Sequence, residues 1–273
     1  GEVVVVDIQL DKSFASKLES NYHYISPSSV AGIIKKREIF SHKGTYGHAN
    51  IVAGSRGKIG AAVLATKAAS FSGVGLVTST IPSVGLNVMQ ISVPVAMCED
   101  KYGNAFFQGS IEYIEKHTYG IGPGIGKTPE TVQFLKHFLK EVTRPIVIDA
   151  DALNCIAENQ EMLKDIPENS ILTPHIKEFE RLAGKSKNSL NRLNKLIEFC
   201  IENKVYVVLK DARTIICSPK GEYYFSLNGT PGMATGGSGD ILTGLLTGLL
   251  AQGYSPQQTS QLGVILHGIA GEL

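Results

Sequence analysis

Short apolar segments, each ending in glycine or a polar residue, recur along most of this chain and alternate with helix-like segments. Strand-like segments lie at residues 50–54, 75–80, 119–124, 145–149, 170–173 and 205–210. Helix-like segments follow the first and third of these, at residues 60–72 and 129–141. Apolar strands that alternate with helices favour a mainly parallel sheet covered by helices on both faces. The fold class expected is therefore α/β.

One part of the chain breaks this alternation. Residues 213–219 and 222–227 are two strand-like segments separated only by Lys220-Gly221, a spacing that predicts a β-hairpin. In open parallel sheets, ligands bind at the carboxyl ends of the strands. Most of the motifs described below follow predicted strands, so we expect them to meet at one edge of the sheet.

Composition excludes several classes of protein. The 273 residues are 43% apolar and carry a net charge of +1, which does not suggest a nucleic-acid surface or a polybasic membrane anchor. The sequence contains no apolar run of about 18 residues, so no membrane span is expected. The four cysteines have no CxxC spacing and no clustered histidines, so we expect free thiols in a reducing cytoplasm and no zinc site.

The strongest motif is glycine-rich, at residues 232–240, and precedes a helix with an apolar stripe at residues 241–250. Backbone N–H groups at a helix N-terminus form an anion site suited to phosphate. Asp240 lies in the first turn, where it could accept a proton from an attacking hydroxyl. We expect the helix dipole to lower the pKa of Asp240. The alternative is a plain helix start capped by Ser238 or Asp240.

A second glycine-rich segment, residues 120–128, ends in Gly-Lys-Thr but is not a P-loop. A P-loop requires glycine where this chain has Ile121. A tight turn after a strand remains, in which Gly122 and Gly124 could bring the backbone close to a ligand. The alternative is an ordinary strand-to-helix turn.

Four weaker motifs admit both a functional and a structural interpretation. The His-Lys pair within residues 41–47 could contact phosphate or form a solvated loop. Asp149 and Asp151 could steer Mg²⁺ or bind a polar group of the substrate, or else cap a helix. His175 could be catalytic or structural. Lys210 and Thr214 could bind nucleotide phosphates, or Lys210 could simply end a strand in water.

Taken in order, these motifs resemble one family, the ADP/ATP-dependent NAD(P)H-hydrate dehydratases of the ribokinase-like superfamily. The matching segments are residues 42–47, 53–55, 120–124, 149–153, 172–175, 208–210 and 232–240. The resemblance covers about residues 41–273. It implies a ribokinase-like fold, adenine nucleotide (ADP or ATP) with Mg²⁺, and a hydrated NADH or NADPH substrate. It further implies a cytoplasmic homotetramer with neither nucleic acid nor membrane as a partner.

The resemblance also implies residue roles. Asp240 would be the general base, beside an anion hole formed by Gly236, Gly237, Ser238 and Gly239. The nucleotide would contact Lys210, Asp211, Ala212, Arg213, Thr214 and Gly239. The hydrated cofactor would contact Ala61, Gly122, Gly124, His175 and Asp240. Mg²⁺ would bridge the phosphates, and Asp149 or Asp151 are the side chains considered near it.

The chain departs from the family pattern at two places. Ile176-Lys177 stands where Pro-Gly is usual, and Asp211 stands where glycine is usual. Asp211 brings a negative side chain near the expected phosphates, which motivates the alternative of a non-catalytic nucleotide-binding domain. A small-molecule kinase for a vitamin precursor or sugar is the other alternative, because such kinases share the glycine-rich anion hole.

The two ends of the sequence lead to a prediction of domain organisation. Residues 4–8, Val-Val-Val-Asp-Ile, resemble the end of the epimerase domain that is often fused upstream. We therefore expect residues 1–25 to be the end of that domain or a linker, and residues 26–273 to be the dehydratase domain. We also expect the dehydratase domain to continue beyond Leu273.

Overall fold

A single twisted sheet organises the part of the chain that the structure describes. The computed structural model describes residue 6, residues 12–15, residue 17 and residues 19–273. The strands are β1 (Tyr22–Ile25), β2 (His48–Val52), β3 (Leu76–Thr80), β4 (Met97–Glu99), β5 (Thr118–Ile121), β6 (Val147–Ile148), β7 (Ile171–Leu172), β8 (Tyr206–Leu209), β9 (Ile215–Cys217) and β10 (Tyr223–Ser226). Their spatial order is β1-β10-β9-β8-β7-β6-β5-β2-β3-β4.

Helices connect and cover these strands. They are α1 (Lys12–Ala15), α2 (Pro27–Ala31), α3 (Ile59–Phe71), α4 (Leu86–Ser92), α5 (Pro129–Glu141), α6 (Ala150–Glu158), α7 (Ile176–Ala183), α8 (Ser189–Asn203), α9 (Ser238–Ala251) and α10 (Pro256–Glu272). Short 3-10 turns lie at Lys43–Tyr46, Ser83–Gly85, Gln160–Asp165 and Pro231–Met233.

The sheet is parallel except at β9, which runs antiparallel to both β8 and β10. Successive side chains of a strand point to opposite faces, so each central strand contributes residues to two hydrophobic cores. Ile148 and Val207 pack among the helices α5 to α8, whereas Val147 and Val208 pack against α9 and α10. A third core lies between α3, α4 and the strands β2 and β3. The arrangement confirms the predicted mainly parallel sheet with helices on both faces.

The helices α3 and α9 approach each other closely because α9 contains glycine at its contact face. A Cβ atom added to Gly244 would lie 1.9 Å from the carbonyl oxygen of Ala65, and one added to Gly248 would lie 1.9 Å from Ser72 Oγ. Any larger residue would push α9 away from α3. The close contact fixes the direction of α9, and its N-terminus points to the carboxyl edge of the sheet.

Most predicted elements are present, with differences at their ends. The helix α5 has the predicted bounds, because Thr128 accepts a hydrogen bond from Thr131 N and Pro129 starts the helix. The predicted hairpin is confirmed by the pairing of β9 with β10. The strands β6 and β7 contain only two residues each, because the chain leaves the ladder at their carboxyl ends to form loops.

The residues near the predicted domain boundary are partly described. β1 lies within residues 1–25 and pairs in parallel with β10 at the edge of the sheet. Of the segment 4–8 that resembles the end of an upstream domain, only Val6 lies within the described residues, and its side chain is exposed. The division of the chain at residue 25 stays a prediction.

Candidate active site

An open cleft of about 420 Å³ lies at the carboxyl edge of the parallel strands, where the sequence predicts the site. The loops after β2, β5 and β6 and the first turns of α3, α6 and α9 surround it. Its lining residues are Gly57, Lys58, Gly60, Ala61, Gly124, Ala150, Asp151 and Asp240. A larger groove of about 870 Å³ lies elsewhere, among α7, α8 and the Gln160–Asp165 turn, and it contains none of the predicted site residues.

The start of α9 presents backbone N–H groups without a side-chain cap. Gly237 occupies the N-cap position with φ +94°, and no side chain caps the helix. The first regular helical bond is from Ile241 N to Gly237 O, at 3.0 Å. The amides of Gly239 and Asp240 precede this bond and so have no partner within the helix. The alternative of a plain start capped by Ser238 or Asp240 does not describe this helix.

Asp240 is half-buried at the cleft. Burial and the nearby carboxylates of Asp149 and Asp151 raise the pKa of Asp240 to about 6, against the opposing charge of Lys210. The expectation that the helix dipole would lower this pKa is therefore wrong. The dipole acts on a side chain that has lost solvent and faces two negative neighbours, and these two effects outweigh it.

A buried ion pair lies behind Asp240. Lys210 Nζ donates to Asp149 Oδ1 at 2.8 Å, and Thr243 Oγ1 donates to Asp149 Oδ2 at 2.7 Å. Asp149 is 1% exposed and occupies the N-cap position of α6, yet its side chain makes no capping bond there. Both carboxylate oxygens of Asp149 are thus bonded, one to the residue that follows β8 and the other to a residue of α9. The ion pair ties the strand ends to the helix that carries Asp240.

Asp151 lies at the cleft and is fixed by the loops that follow β2 and β5. Its Oδ2 accepts from Lys58 Nζ and from Gly126 N, each at 2.9 Å. Ala150, which precedes it, has φ +49°, a left-handed conformation that costs a non-glycine residue roughly 1–2 kcal/mol. Of the two aspartates considered near Mg²⁺, Asp151 is the one that lines the cleft.

The glycines after β5 have different surroundings. A Cβ atom at Gly122, where φ is +129°, would lie 1.9 Å from the carbonyl oxygen of Asp149, so this glycine packs one loop on another. At Gly124, where φ is +65°, a Cβ atom would lie 3.1 Å from Ala61 Cβ and 3.0 Å from Lys58 O. Gly124 and Ala61 lie together in the cleft wall, as the resemblance implies, whereas Gly122 lies beneath the wall.

Residues 210–214 follow β8 and lie on the side of the start of α9 that is opposite Ala61 and Gly124. A Cβ atom added to Gly239 would lie 3.2 Å from Lys210 Nζ, so the lysine lies directly beside the glycine-rich loop. Asp211 is exposed, and its Oδ1 accepts from Ala212 N at 2.8 Å. Arg213 donates to the carbonyl oxygen of Leu227, and Thr214 is half-buried.

His175 and the His-Lys motif lie outside the cleft. His175 is the N-cap of α7, where its Nδ1 accepts from Glu178 N at 3.1 Å, and its side chain is 48% exposed. Residues 42–47 lie at the opposite edge of the sheet. A Cβ atom at Gly47 would lie 1.9 Å from the carbonyl oxygen of Ala251, the last residue of α9. Ala251 follows Asp240 by 11 residues of α9, so about 17 Å of helix separate this motif from Asp240.

Several site residues were missed by the sequence analysis. Lys58 lines the cleft, and Thr243 bonds to Asp149 behind it, yet neither residue belongs to a motif that we singled out. Lys58 follows a strand end that we did single out, within Ser-Arg-Gly-Lys, and its charge could have indicated it. Thr243 stands one helical turn after Gly239, to whose carbonyl oxygen its Oγ1 also donates at 3.1 Å.

The described part of the chain also bears on metals, cysteines and membranes. Within it, no group of three or more His, Cys, Asp or Glu side chains is arranged to hold a metal ion. The cysteines are free, and three of them, Cys155, Cys200 and Cys217, are buried. No helix within the described ranges is both long and apolar enough to span a bilayer.

Comparison with solved structures defines the class of protein. A ribokinase-like superfamily protein from Enterococcus faecalis superposes with a TM-score of 0.77 at 26% identity, covering 93% of this chain and 89% of that one. An ADP/ATP-dependent NAD(P)H-hydrate dehydratase from Bacillus subtilis, co-crystallised with ATP/Mg²⁺, superposes with a TM-score of 0.77 at 30% identity, covering 92% and 88%. The fold is ribokinase-like.

Sequence comparison then gives the family. A family model described as NAD(P)H-hydrate dehydratase matches residues 49–273, and the chain belongs to that family. An ADP-dependent (S)-NAD(P)H-hydrate dehydratase from Bacillus subtilis is 34% identical over 93% of this chain and 90% of its own length. The bifunctional NAD(P)H-hydrate repair enzyme Nnr of Moorella thermoacetica is 35% identical over 100% of this chain. This chain spans about half of that relative, 53% of its length.

Proposed function

We propose that the protein dehydrates hydrated NADH or NADPH back to the reduced cofactor, at the expense of ADP or ATP. The observation that carries the proposal is the position of Asp240. Its carboxylate lines a cleft at the carboxyl edge of the sheet, has a pKa of about 6, and adjoins uncapped amides at the start of α9. A base with a pKa near working pH, beside an anion site, suits transfer of a phosphoryl group to a hydroxyl.

Phosphoryl transfer to the hydroxyl of the hydrated ring would be the first step. The Asp240 carboxylate accepts the hydroxyl proton, and the hydroxyl oxygen forms a bond to the terminal phosphorus of the nucleotide. The bond from that phosphorus to its bridging oxygen breaks, so ATP leaves as ADP, or ADP leaves as AMP. Hydroxide is a poor leaving group, and this transfer turns it into a phosphate ester.

Elimination would be the second step. The carbon–oxygen bond of the ester breaks and inorganic phosphate leaves with the bonding electrons. The neighbouring ring carbon loses a proton, and the double bond of the reduced nicotinamide is restored. The proton on Asp240 and the proton from the ring carbon pass to solvent and phosphate. The sum is hydrate plus ATP giving NADH, ADP, phosphate and one proton, or the corresponding products from ADP.

Fixed positive charge supports the first step. The amides of Gly236 to Gly239 and the start of α9 supply N–H donors for the transferred group. Lys210 Nζ lies beside Gly239 while it is paired with Asp149, so its charge is held in place before the nucleotide arrives. A preorganised charge stabilises the transition state without any rearrangement during the reaction.

The residues at the cleft fit Mg²⁺ only if phosphate oxygens provide most of its ligands. Mg²⁺ commonly binds through one or two carboxylates together with substrate phosphates. Asp151 lines the cleft and could contribute one oxygen, because Lys58 and Gly126 both bond to its other oxygen, Oδ2. When bound, Mg²⁺ would neutralise charge on the phosphates. The Bacillus subtilis dehydratase co-crystallised with ATP/Mg²⁺ supports the pairing of metal with nucleotide.

The surroundings of Asp240 also support the two binding regions. We place the hydrated ring on the side of Ala61 and Gly124, which share the cleft with Asp240. We place the nucleotide on the side of residues 210–214, beyond Gly239. The carboxylate of Asp211 is turned onto the amide of Ala212, which lessens its conflict with phosphates. The contact of His175 with the hydrated cofactor stays a prediction from the resemblance. His175 follows β7 and adjoins Pro174, whose carbonyl oxygen accepts from Lys210 N at 2.8 Å.

Three further points belong to this proposal. The homotetramer rests on family resemblance, and light scattering of the purified protein tests it. A cytoplasmic location rests on the free cysteines Cys155, Cys200 and Cys217. The division into residues 1–25 and 26–273 rests on the bifunctional relatives, of which this chain spans about half. Determination of the full reading frame tests the last point.

The experiment is a turnover assay with hydrated NADH, Mg²⁺ and either ADP or ATP, monitored by recovery of reduced-nicotinamide absorbance. We expect nucleotide-dependent recovery by the wild type and a loss of at least a hundredfold in Asp240→Asn. Glu130→Gln, an exposed carboxylate in the first turn of α5, is the matched control and should retain full activity. Absence of recovery with either nucleotide contradicts the proposal, and a stable phosphorylated product supports the kinase alternative.

A further inference from the structure

The helix α10 contacts both ends of the glycine-rich loop, although no motif in the sequence analysis included it. Just before the loop of residues 232–240, Gly229 N donates to Glu272 Oε1 at 2.7 Å, and Thr230 Oγ1 donates to Gly271 O at 3.1 Å. At the end of the loop, His267 Nε2 lies 3.0 Å from the carbonyl oxygen of Ser238. The last turns of α10 therefore support the loop that ends at Asp240.

The contact at Ser238 has a defined direction. A carbonyl oxygen can only accept a hydrogen bond, so His267 Nε2 carries the proton and donates it. Burial and the charge of Lys210 lower the pKa of His267 against the opposing effect of its hydrogen bond to Ser238, so the ring is neutral near neutral pH. Ser238 Oγ lies 3.4 Å from the same nitrogen and makes a longer contact.

The carbonyl of Ser238 and the N–H of Gly239 belong to the same peptide unit. A peptide unit is planar, so a hydrogen bond that fixes its C=O also fixes the direction of its N–H. A donor to the oxygen polarises the unit and makes the N–H a stronger donor. Gly239 is one of the residues expected in the anion hole, and its amide has no partner within α9.

Together these contacts assign a role to a residue outside the cleft lining. We propose that His267 is a positioning residue that, through the carbonyl of Ser238, aims and strengthens the Gly239 amide toward the transferred phosphoryl group. The inference rests on the proposed phosphoryl transfer. It gives α10 a part in the reaction in addition to its packing against α9.

The kinetic test compares two substitutions of His267 on the complete chain. His267→Phe keeps the ring volume and removes the donor, whereas the side-chain amide of His267→Gln can donate. We expect His267→Phe to lower kcat roughly tenfold or more, with KM for the hydrate changed less than about threefold. His267→Gln should recover a large part of kcat. His137→Phe, on the exposed face of α5, is the matched control and should match the wild type.

A spectroscopic test does not depend on turnover. In the absence of nucleotide, the amide proton of Gly239 should shift upfield in His267→Phe, return toward the wild-type position in His267→Gln, and stay unchanged in His137→Phe. Unchanged Gly239 resonances, or a kcat of His267→Phe within twofold of wild type, overturn the inference. If the wild type shows no turnover but Gly239 shifts as expected, the proposed function fails while the effect of His267 on the peptide unit stands.

Discussion

The ionisation of Asp240 is controlled by two opposing sets of influences. The positive end of α9 and Lys210 favour its charged form, while burial and the nearby Asp149 and Asp151 disfavour it. The balance raises the pKa to about 6. At neutral pH the group is mostly ionised, as the proposed general base must be, and its raised pKa makes it a stronger base than an ordinary aspartate.

The pH dependence of activity follows from this balance. Protonation of Asp240 removes the base, so kcat/KM should decrease about tenfold per pH unit below about pH 6 and level off above it. The measurement is a pH–rate profile of NADH recovery at saturating nucleotide. A profile that stays flat down to pH 5 would show that Asp240 does not titrate in the rate-limiting step.

Stability should fall as pH rises, whereas activity should increase. Asp240 has a higher pKa in the folded state, so the folded protein binds the proton more tightly, and stability declines as pH rises from about 4 through about 6. Asp240→Asn removes the charged form, so we expect it to unfold at a higher temperature than wild type at pH 7.5. The gain should be on the order of 1 kcal/mol, because partial exposure screens the effect.

Thermal melts of the wild type and Asp240→Asn at pH 7.5 and at pH 4.5 test this prediction. The difference between the two proteins should be smaller at the lower pH, where Asp240 is protonated in the folded wild type. A variant less stable than the wild type at pH 7.5 would mean that the carboxylate makes a net stabilising contact.

The two lysines near the cleft should differ in their contributions to stability. Lys210→Met leaves Asp149, which is 1% exposed, charged and without its partner, and should lower the free energy of unfolding by about 3 kcal/mol. Lys58→Met removes the ion pair with Asp151, in which the lysine is 53% exposed. It should change the free energy of unfolding by less than about 1 kcal/mol. Urea denaturation of both variants measures the contrast, and equal effects would contradict the burial argument.

At the scale of elements, the site depends on the contact between α3 and α9. Gly244→Ala would place Cβ 1.9 Å from the carbonyl oxygen of Ala65 and should cost about 3 kcal/mol in stability. Gly60→Ala, in the first turn of α3, meets nothing within 4 Å and should leave stability unchanged or raise it by up to about 1 kcal/mol. Denaturant midpoints of both variants test the pair. A mild effect at Gly244 would mean that the helices can separate freely.

The elements also show what a sequence can and cannot predict. The helix α5 was predicted with its observed bounds because it has a threonine cap, a proline at its first position and an apolar stripe. The strand β4 was missed because its three residues are half-exposed or exposed and show no alternation. The two-residue strands β6 and β7 were overestimated in length, since an apolar run does not reveal where pairing stops.

Side-chain partners were less predictable than elements. Asp149 and Asp151 are two positions apart and looked equivalent in the sequence. In the structure one of them is paired with Lys210 across the sheet, and the other lines the cleft. The partners of Asp149 lie 61 and 94 positions away, directly after β8 and on α9, so no local pattern contains them. The pKa of Asp240 was mispredicted for the same reason.

At the scale of the whole molecule, the order of the strands brings the motifs together. The loops after β2, β5 and β6 meet the start of α9 because their strands are neighbours in a parallel sheet. The motif at residues 42–47 shows the limit of this rule. It precedes β2, so it lies at the amino edge, against the last residue of α9. Its position there indicates a role in packing, away from the proposed phosphate site.

The central claim is that a phosphoryl group passes to the hydrated ring and then leaves as phosphate. The most direct measurement follows NADH recovery and phosphate release together in a single turnover with ATP. We predict equal amounts of the two products from the wild type, with neither formed by Asp240→Asn. Phosphate released without NADH, or NADH recovered without phosphate, would contradict the account.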